Sequence, residues 1–141
     1  MMTFDVLREA NIARLPTFKN ARGELAHDRA DGTDWSANDW MTAVTGEVGE
    51  AANILKKIRR GDLTLDEARP ALAKELADIQ CYLDLLALRV GVDLGRATFE
   101  KFNEVSERVG SSVFLNALDH EVCVLFKTVH ISPTTSSSNP L

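Results

Sequence analysis

Cysteine is nearly absent from this 141-residue chain: Cys81 and Cys123 stand far apart and leave no CxxC pair for redox chemistry. Cys81 lies in an apolar helical run and reads as a reduced core thiol of a cytosolic protein. Histidine is equally sparse. His27, His120 and His130 show no ligand spacing and no pairing with serine that would suggest a covalent route, so they read as ordinary polar residues. Positive charge is short too, with 16 Lys and Arg against 21 Asp and Glu. The resulting net charge of −5 argues against a groove for a nucleic-acid polymer as the main surface. No apolar run reaches the roughly 18 residues of a membrane span. The richest stretch, 79–94, is broken by Asp84, Arg89 and Asp93. The opening Met1-Met2-Thr3-Phe4-Asp5 lacks the charged and apolar regions of a signal peptide. A cytoplasmic location with no membrane partner is therefore expected.

What remains is helical. Hydrophobic residues make up 45% of the chain, enough for one domain with a real core. Thr3 caps a first helix over 4–15, and Pro16 stops it. Residues 17–37 are polar, hold Gly23, Gly32, Asp28, Asp31 and Asp34, and form a loop of a length that is usually functional or mobile. A second helix runs over 38–60 with Ser36 or Asn38 as its cap. Gly61 ends it, and Lys56, Lys57, Arg59 and Arg60 crowd its last turn, where as a group they read as complementing the helix dipole on a solvated face, with phosphate attraction as the alternative. Thr64-Leu65-Asp66-Glu67 is a capping box that starts a third helix, which Pro70 either kinks or restarts.

The third helix runs to Val90 and is apolar over most of its circumference. Such a helix is central to the fold or also meets another subunit, so a homodimer or homotetramer is expected. Asp93 caps a fourth helix over 94–108, closed by Gly110. Val113-Phe114-Leu115 folds back, and Val122–Phe126 forms a short strand or helix. The segment 133–141 is of low complexity. The αααα pattern predicts an all-α four-helix bundle over 1–115, followed by an extension over 116–141 that is largely a disordered tail.

Four acidic residues carry the chemistry. Glu47-Val-Gly-Glu50 on the second helix and Glu75-Leu-Ala-Asp78 on the third are separated by 24 residues. Each pair has i, i+3 spacing and so projects from one helix face. Val44, Gly46, Val48, Gly49 and Ala51 flank the first pair, and Leu72, Leu76, Ala77 and Ile79 the second. Carboxylates converging among apolar and small residues repel each other and lose hydration, a cost that a bound cation removes. Oxygen-only ligands favour Mg²⁺, with Mn²⁺ as the other candidate, and carboxylate-held Mg²⁺ most often meets phosphates. Glu47, Glu50, Glu75 and Asp78 are thus expected to hold metal, and Glu47 or Glu50 to accept the proton of an attacking water.

These strings resemble the signature of the MazG-like all-α nucleotide pyrophosphohydrolases. Gly46-Glu47-Val48-Gly49-Glu50-Ala51 is similar to the first motif of that superfamily, its dCTP pyrophosphatase branch included. Lys74-Glu75-Leu76-Ala77-Asp78-Ile79 with Tyr82-Leu83 is similar to the second, and Val92-Asp93-Leu94 and Lys101 extend the likeness. Lys56-Lys57, Arg60-Gly61 and Lys101-Phe102-Asn103-Glu104-Val105-Ser106 resemble small single-domain members from phages and bacteria. The resemblance covers about 36–110. It implies hydrolysis of a (d)NTP to (d)NMP and pyrophosphate, four acidic residues binding Mg²⁺, and assembly as dimers or tetramers. Many relatives carry Asn four residues after the lysine matching Lys101; here Val105 stands there, and Asn103 lies nearby.

Substrate contacts are expected from several side chains. Asn53 and Lys57 share the stripe of Glu50. Lys101 and Arg108 share a stripe of the fourth helix, with Lys101 supported by the resemblance and Asn103 beside it. Trp35 is a candidate to stack on a base, while Trp40 reads as core or interface packing. Tyr82, one turn after Asp78, either packs or bonds ligand. The expected activity is a metal-dependent (d)NTP pyrophosphohydrolase serving nucleotide-pool housekeeping. The alternatives are a hydrolase of another nucleotide, such as a diphosphate or alarmone, and a non-catalytic metal-binding helical oligomer.

Overall fold

The structure, a computed structural model, describes residues 2–29, 31–116 and 122–124. Its elements are α1 (Phe4–Arg14), α2 (Ala37–Arg60), α3 (Leu65–Arg89), α4 (Leu94–Arg108), β1 (Val113–Leu115) and β2 (Val122–Val124). The expected all-α character holds at this level: four helices dominate, joined by one short hairpin in which β1 pairs antiparallel with β2. Of the expected extension, 117–121 and 125–141 lie outside the described residues. No helix among the described residues is long and apolar enough to cross a membrane.

Local chemistry sets the helix ends. The Thr3 hydroxyl accepts the Val6 amide at 3.2 Å, which satisfies one of the orphan donors of α1. Pro16 then turns the chain into a 3-10 turn, Leu15–Thr17. Ser36 caps α2 in a reciprocal box with Asp39, and Gly61 closes it at φ 81°, a left-handed value that glycine adopts without a Cβ clash. Thr64 and Glu67 form the expected box at the start of α3. Pro70, expected to kink or restart this helix, does not restart it: α3 runs unbroken from Leu65 to Arg89. The proline removes one main-chain bond, and both Pro70 and Asp66, whose carbonyl it would have met, are exposed. Asp93 caps α4 by accepting the Arg96 amide at 2.9 Å.

The chain divides into two compact units, Met1–Ala97 and Thr98–Leu141. The division falls inside α4, earlier than the expected boundary at 115. In the first unit α2 packs along α3, and α1 packs against α3. The four-residue link 61–64 and the approach of Trp40 to Tyr82 and of Glu47 to Asp78 make α2 and α3 an antiparallel pair. Leu15, Trp40 and Leu85 form the buried centre, with Phe18, Trp35, Tyr82, Leu86 and Leu88 around them. In the second unit Asn103 fastens β1 to α4. Its carbonyl oxygen accepts the Leu115 amide at 2.8 Å, and its amide nitrogen donates to the Leu115 carbonyl at 3.1 Å.

The long segment after α1 is structured by its own bonds. Lys19 and Leu25 bridge across a turn at Gly23, and the Ala26 amide donates to the Phe18 carbonyl at 2.8 Å. Arg89 of α3 donates to the Trp35 carbonyl at 2.8 Å and ties the end of the segment to the helix pair. Gly32, at φ 69°, passes close to Leu15 and Trp40; a Cβ there would lie 3.2 Å from a Leu15 methyl.

Candidate metal and ligand site

Antiparallel packing brings the two acidic pairs to the same level of the α2–α3 pair. One carboxylate oxygen from each of Glu47, Glu75 and Asp78 lies within 4.8 Å of the other two. Glu47 and Glu75 are half-buried and Asp78 is exposed, so the group opens to solvent at one side. Burial raises the Glu47 pKa above its ordinary value, and the charges of Glu50, Asp78 and Glu75 raise it further, in that order. The site therefore favours the neutral form of Glu47 more than water does, and ionising it works against the neighbouring charges.

Glu50 stands outside this group of three. Residues three apart on a helix differ by roughly 60° around the axis, so one helix can aim the first acid at a neighbouring helix and the second along its own flank. Among the described residues Glu50 makes no hydrogen bond or ion pair. It lines an open groove of about 480 Å³ with Met41, Thr42, Thr45, Gly46, Gly49 and Asn53. Cβ atoms built on Gly46 and Gly49 meet nothing within 4 Å, so the small residues leave space beside the carboxylates.

The donor set fits a hard divalent cation. Carboxylate oxygens bind Mg²⁺ near 2.1 Å, which places opposite ligands roughly 4.2 Å apart. The observed 4.8 Å limit is close to that span. The strained charge on Glu47 is the kind that a cation relieves. No thiol or imidazole belongs to the group, so nothing in it selects a softer metal.

Next to the acids lies an aromatic cluster. Tyr82 follows Asp78 by four residues on α3 and shares its stripe. Burial raises the pKa of its phenol, and the charges of Glu47 and Asp78 add to the effect, while Arg14 opposes it. Its ring lies 6.3 Å from that of Trp40, which in turn meets Trp35 at 4.7 Å and stacks on His27 at 5.5 Å. Trp40 is core, as one of its two expected roles has it. Trp35 is half-buried, with its ring engaged by Trp40 and His27, so its surface is used in packing.

The other expected substrate contacts are more dispersed. The Asn53 carbonyl oxygen accepts Lys56 Nζ at 2.8 Å on the exposed flank of α2. Lys57 is exposed and without an ion pair among the described residues. Lys101, Asn103 and Arg108 lie in the second unit. Lys101 pairs with Glu104 at 2.5 Å, and Arg108 is exposed at the last turn of α4. Asn103, expected as a ligand contact, holds the main chain of Leu115 through both ends of its amide.

Several residues were invisible to sequence reasoning. His27, expected as an ordinary polar residue, is 7% exposed; its Nδ1 has no hydrogen-bond partner and lies 3.8 Å from an Asp34 oxygen. Asp84 is 1% exposed and fully served: Arg8 Nε donates to it at 2.8 Å and Asn11 Nδ2 at 2.9 Å. Asn11 also donates to the Cys81 carbonyl at 3.2 Å and accepts from Arg14 at 3.1 Å. The available signal was Asn11, Arg14 and Asp84 interrupting apolar faces, which by itself names no partner. No family model, curated protein or solved structure matches the chain. The likeness to MazG-like enzymes thus rests on the motif residues alone.

Proposed function

We propose that the chain is a metal-dependent nucleoside triphosphate pyrophosphohydrolase of the MazG-like type, converting a (d)NTP to (d)NMP and pyrophosphate in nucleotide-pool housekeeping. The observation that carries this reading is the meeting of Glu47, Glu75 and Asp78 from two helices within 4.8 Å, beside a wall of aromatic rings. Those three residues would hold Mg²⁺ or Mn²⁺. When bound, such an ion neutralises the phosphates and makes a water more acidic.

The chain's own residues supply the rest. Glu50 is adjacent to the group, exposed and unpaired among the described residues, and its carboxylate accepts the proton of the attacking water. Tyr82 forms the border between acids and aromatics and presents a phenol kept in its protonated, donating form. Lys57 lies on the α2 stripe of Glu50 and offers the phosphates an ammonium that has no ion pair among the described residues. A stripe of half-exposed apolar residues on α2, Met41, Val48 and Leu55 at seven-residue spacing, supports assembly with further copies of the chain. A panel of NTPs and dNTPs with magnesium, read by pyrophosphate and nucleoside monophosphate release, tests the activity. Turnover that vanishes in folded Glu50→Gln and Asp78→Asn variants supports it. Metal binding without turnover of any nucleotide would instead favour a non-catalytic helical oligomer.

A further inference from the structure

We infer that Arg14, at the C-terminal end of α1, is a phosphate contact of this site, pre-organised by Asn11 and Phe18. The inference rests on the proposed function and adds to it a residue that motif spacing does not mark. Arg14 donates through Nη2 to the Asn11 side-chain oxygen at 3.1 Å. Its guanidinium carbon lies 5.3 Å from the centre of the Phe18 ring. Both partners are themselves fixed. Asn11 is 2% exposed and anchored to Asp84 and to the Cys81 carbonyl, and Phe18 packs on the Leu15–Trp40–Leu85 centre.

This arrangement restrains the guanidinium without neutralising it. Arg8, Arg22, Arg60 and Arg69 each pair with a carboxylate. Arg14 makes no ion pair among the described residues, and one amide oxygen and one ring face leave most of its five N–H donors free. Lys57 is also unpaired but has no such restraint. The position is right for a ligand. Asn11 touches the main chain at Cys81, the residue before Tyr82, and Phe18 shares the core cluster with Tyr82. Tyr82 in turn stands one turn from Asp78, and the charge of Arg14 acts on its phenol. A planar fork anchored through Asn11 to the main chain of α3 at Cys81, three residues after Asp78, suits the phosphate oxygens of a nucleotide whose other oxygens face the acids' cation.

The test compares wild type with Arg14→Gln, which keeps a donor for Asn11 and removes the charge, and Arg14→Lys, which keeps the charge and loses the fork. Expected for Arg14→Gln is a KM for the best nucleotide raised by about tenfold or more, with kcat changed far less. Calorimetric affinity for magnesium tripolyphosphate falls in parallel, the melting temperature stays within about 2 °C, and Arg14→Lys recovers part of the loss. Wild type that turns over nucleotide while Arg14→Gln matches it in KM and tripolyphosphate affinity overturns the role of Arg14 and leaves the acid site standing. Arg14→Gln that unfolds assigns Arg14 a structural role and overturns the inference. Wild type with no turnover and no tripolyphosphate binding overturns the function itself, and Arg14 with it.

Discussion

Helix α3 carries two aspartates six residues apart in opposite circumstances. Asp84 is buried at 1% exposure, yet Arg8 and Asn11 meet both of its oxygens. Asp78 is exposed, yet it faces Glu47 and Glu75. The buried acid is the settled one, and the open acid belongs to a group that works against its own charge. Depth alone is therefore a poor guide to function in this molecule. A buried carboxylate with matched partners holds α1 to α3, whereas like charges gathered at an open edge await something of opposite sign.

The contrast is broken most severely at Asp84. Asp84→Ala strands the Arg8 guanidinium and the Asn11 amide, and should cost about 3 kcal/mol of folding stability, the low end for a buried pair because Arg8 is partly exposed. Urea unfolding measures it. Asp78→Asn should do the reverse: a loss of at least roughly 100-fold in magnesium-dependent turnover, with metal-free stability unchanged or improved. Equal destabilisation by both changes would erase the distinction between the two aspartates.

Smaller effects sharpen the picture. Ser36→Ala removes the cap that starts the acid-bearing helix and should cost about 1 kcal/mol near neutral pH; it also releases the lowered Asp39 pKa, so part of this cost disappears as pH falls through the Asp39 titration. Glu47 contributes with the opposite sign. Its folded pKa is raised above the ordinary 4.5, so the native state keeps a proton that the unfolded chain releases. Stability of the metal-free protein should therefore be highest, as far as Glu47 contributes, below pH 4.5 and fall as pH rises through the raised folded value, then level off. Glu47→Gln should remove this contribution, as thermal melts across pH would record, whereas Ser36→Ala should leave it in place.

Much of the helical frame was legible because its signals are local. Thr3, Ser36, the Thr64–Glu67 box and Asp93 mark starts, and Pro16 and Gly61 mark stops, through bonds to residues within one turn. The likeness of acid spacing on two successive helices was legible for the same reason. The separation of Glu50 from the other three was not, since it depends on which flank of α2 faces α3. The Arg8–Asn11–Asp84 brace was hidden because its halves lie on helices more than 70 residues apart in sequence. His27 was hidden as well: its burial arises from rings contributed by Phe18, Trp35 and Trp40, which only the folded chain assembles. The bond of Asn103 to β1 was hidden because its partner is the main chain of Leu115, to which no side-chain pattern points.

Manganese titration of the purified chain, followed by the loss of the free-ion paramagnetic resonance signal at neutral pH, reaches the central claim most directly. Saturable binding in wild type and in Arg14→Gln, lost in Glu47→Gln and Asp78→Asn variants that melt as folded proteins, is the predicted result. Wild type that leaves the free-ion signal undiminished, or acid variants that bind as well as wild type, would contradict the account.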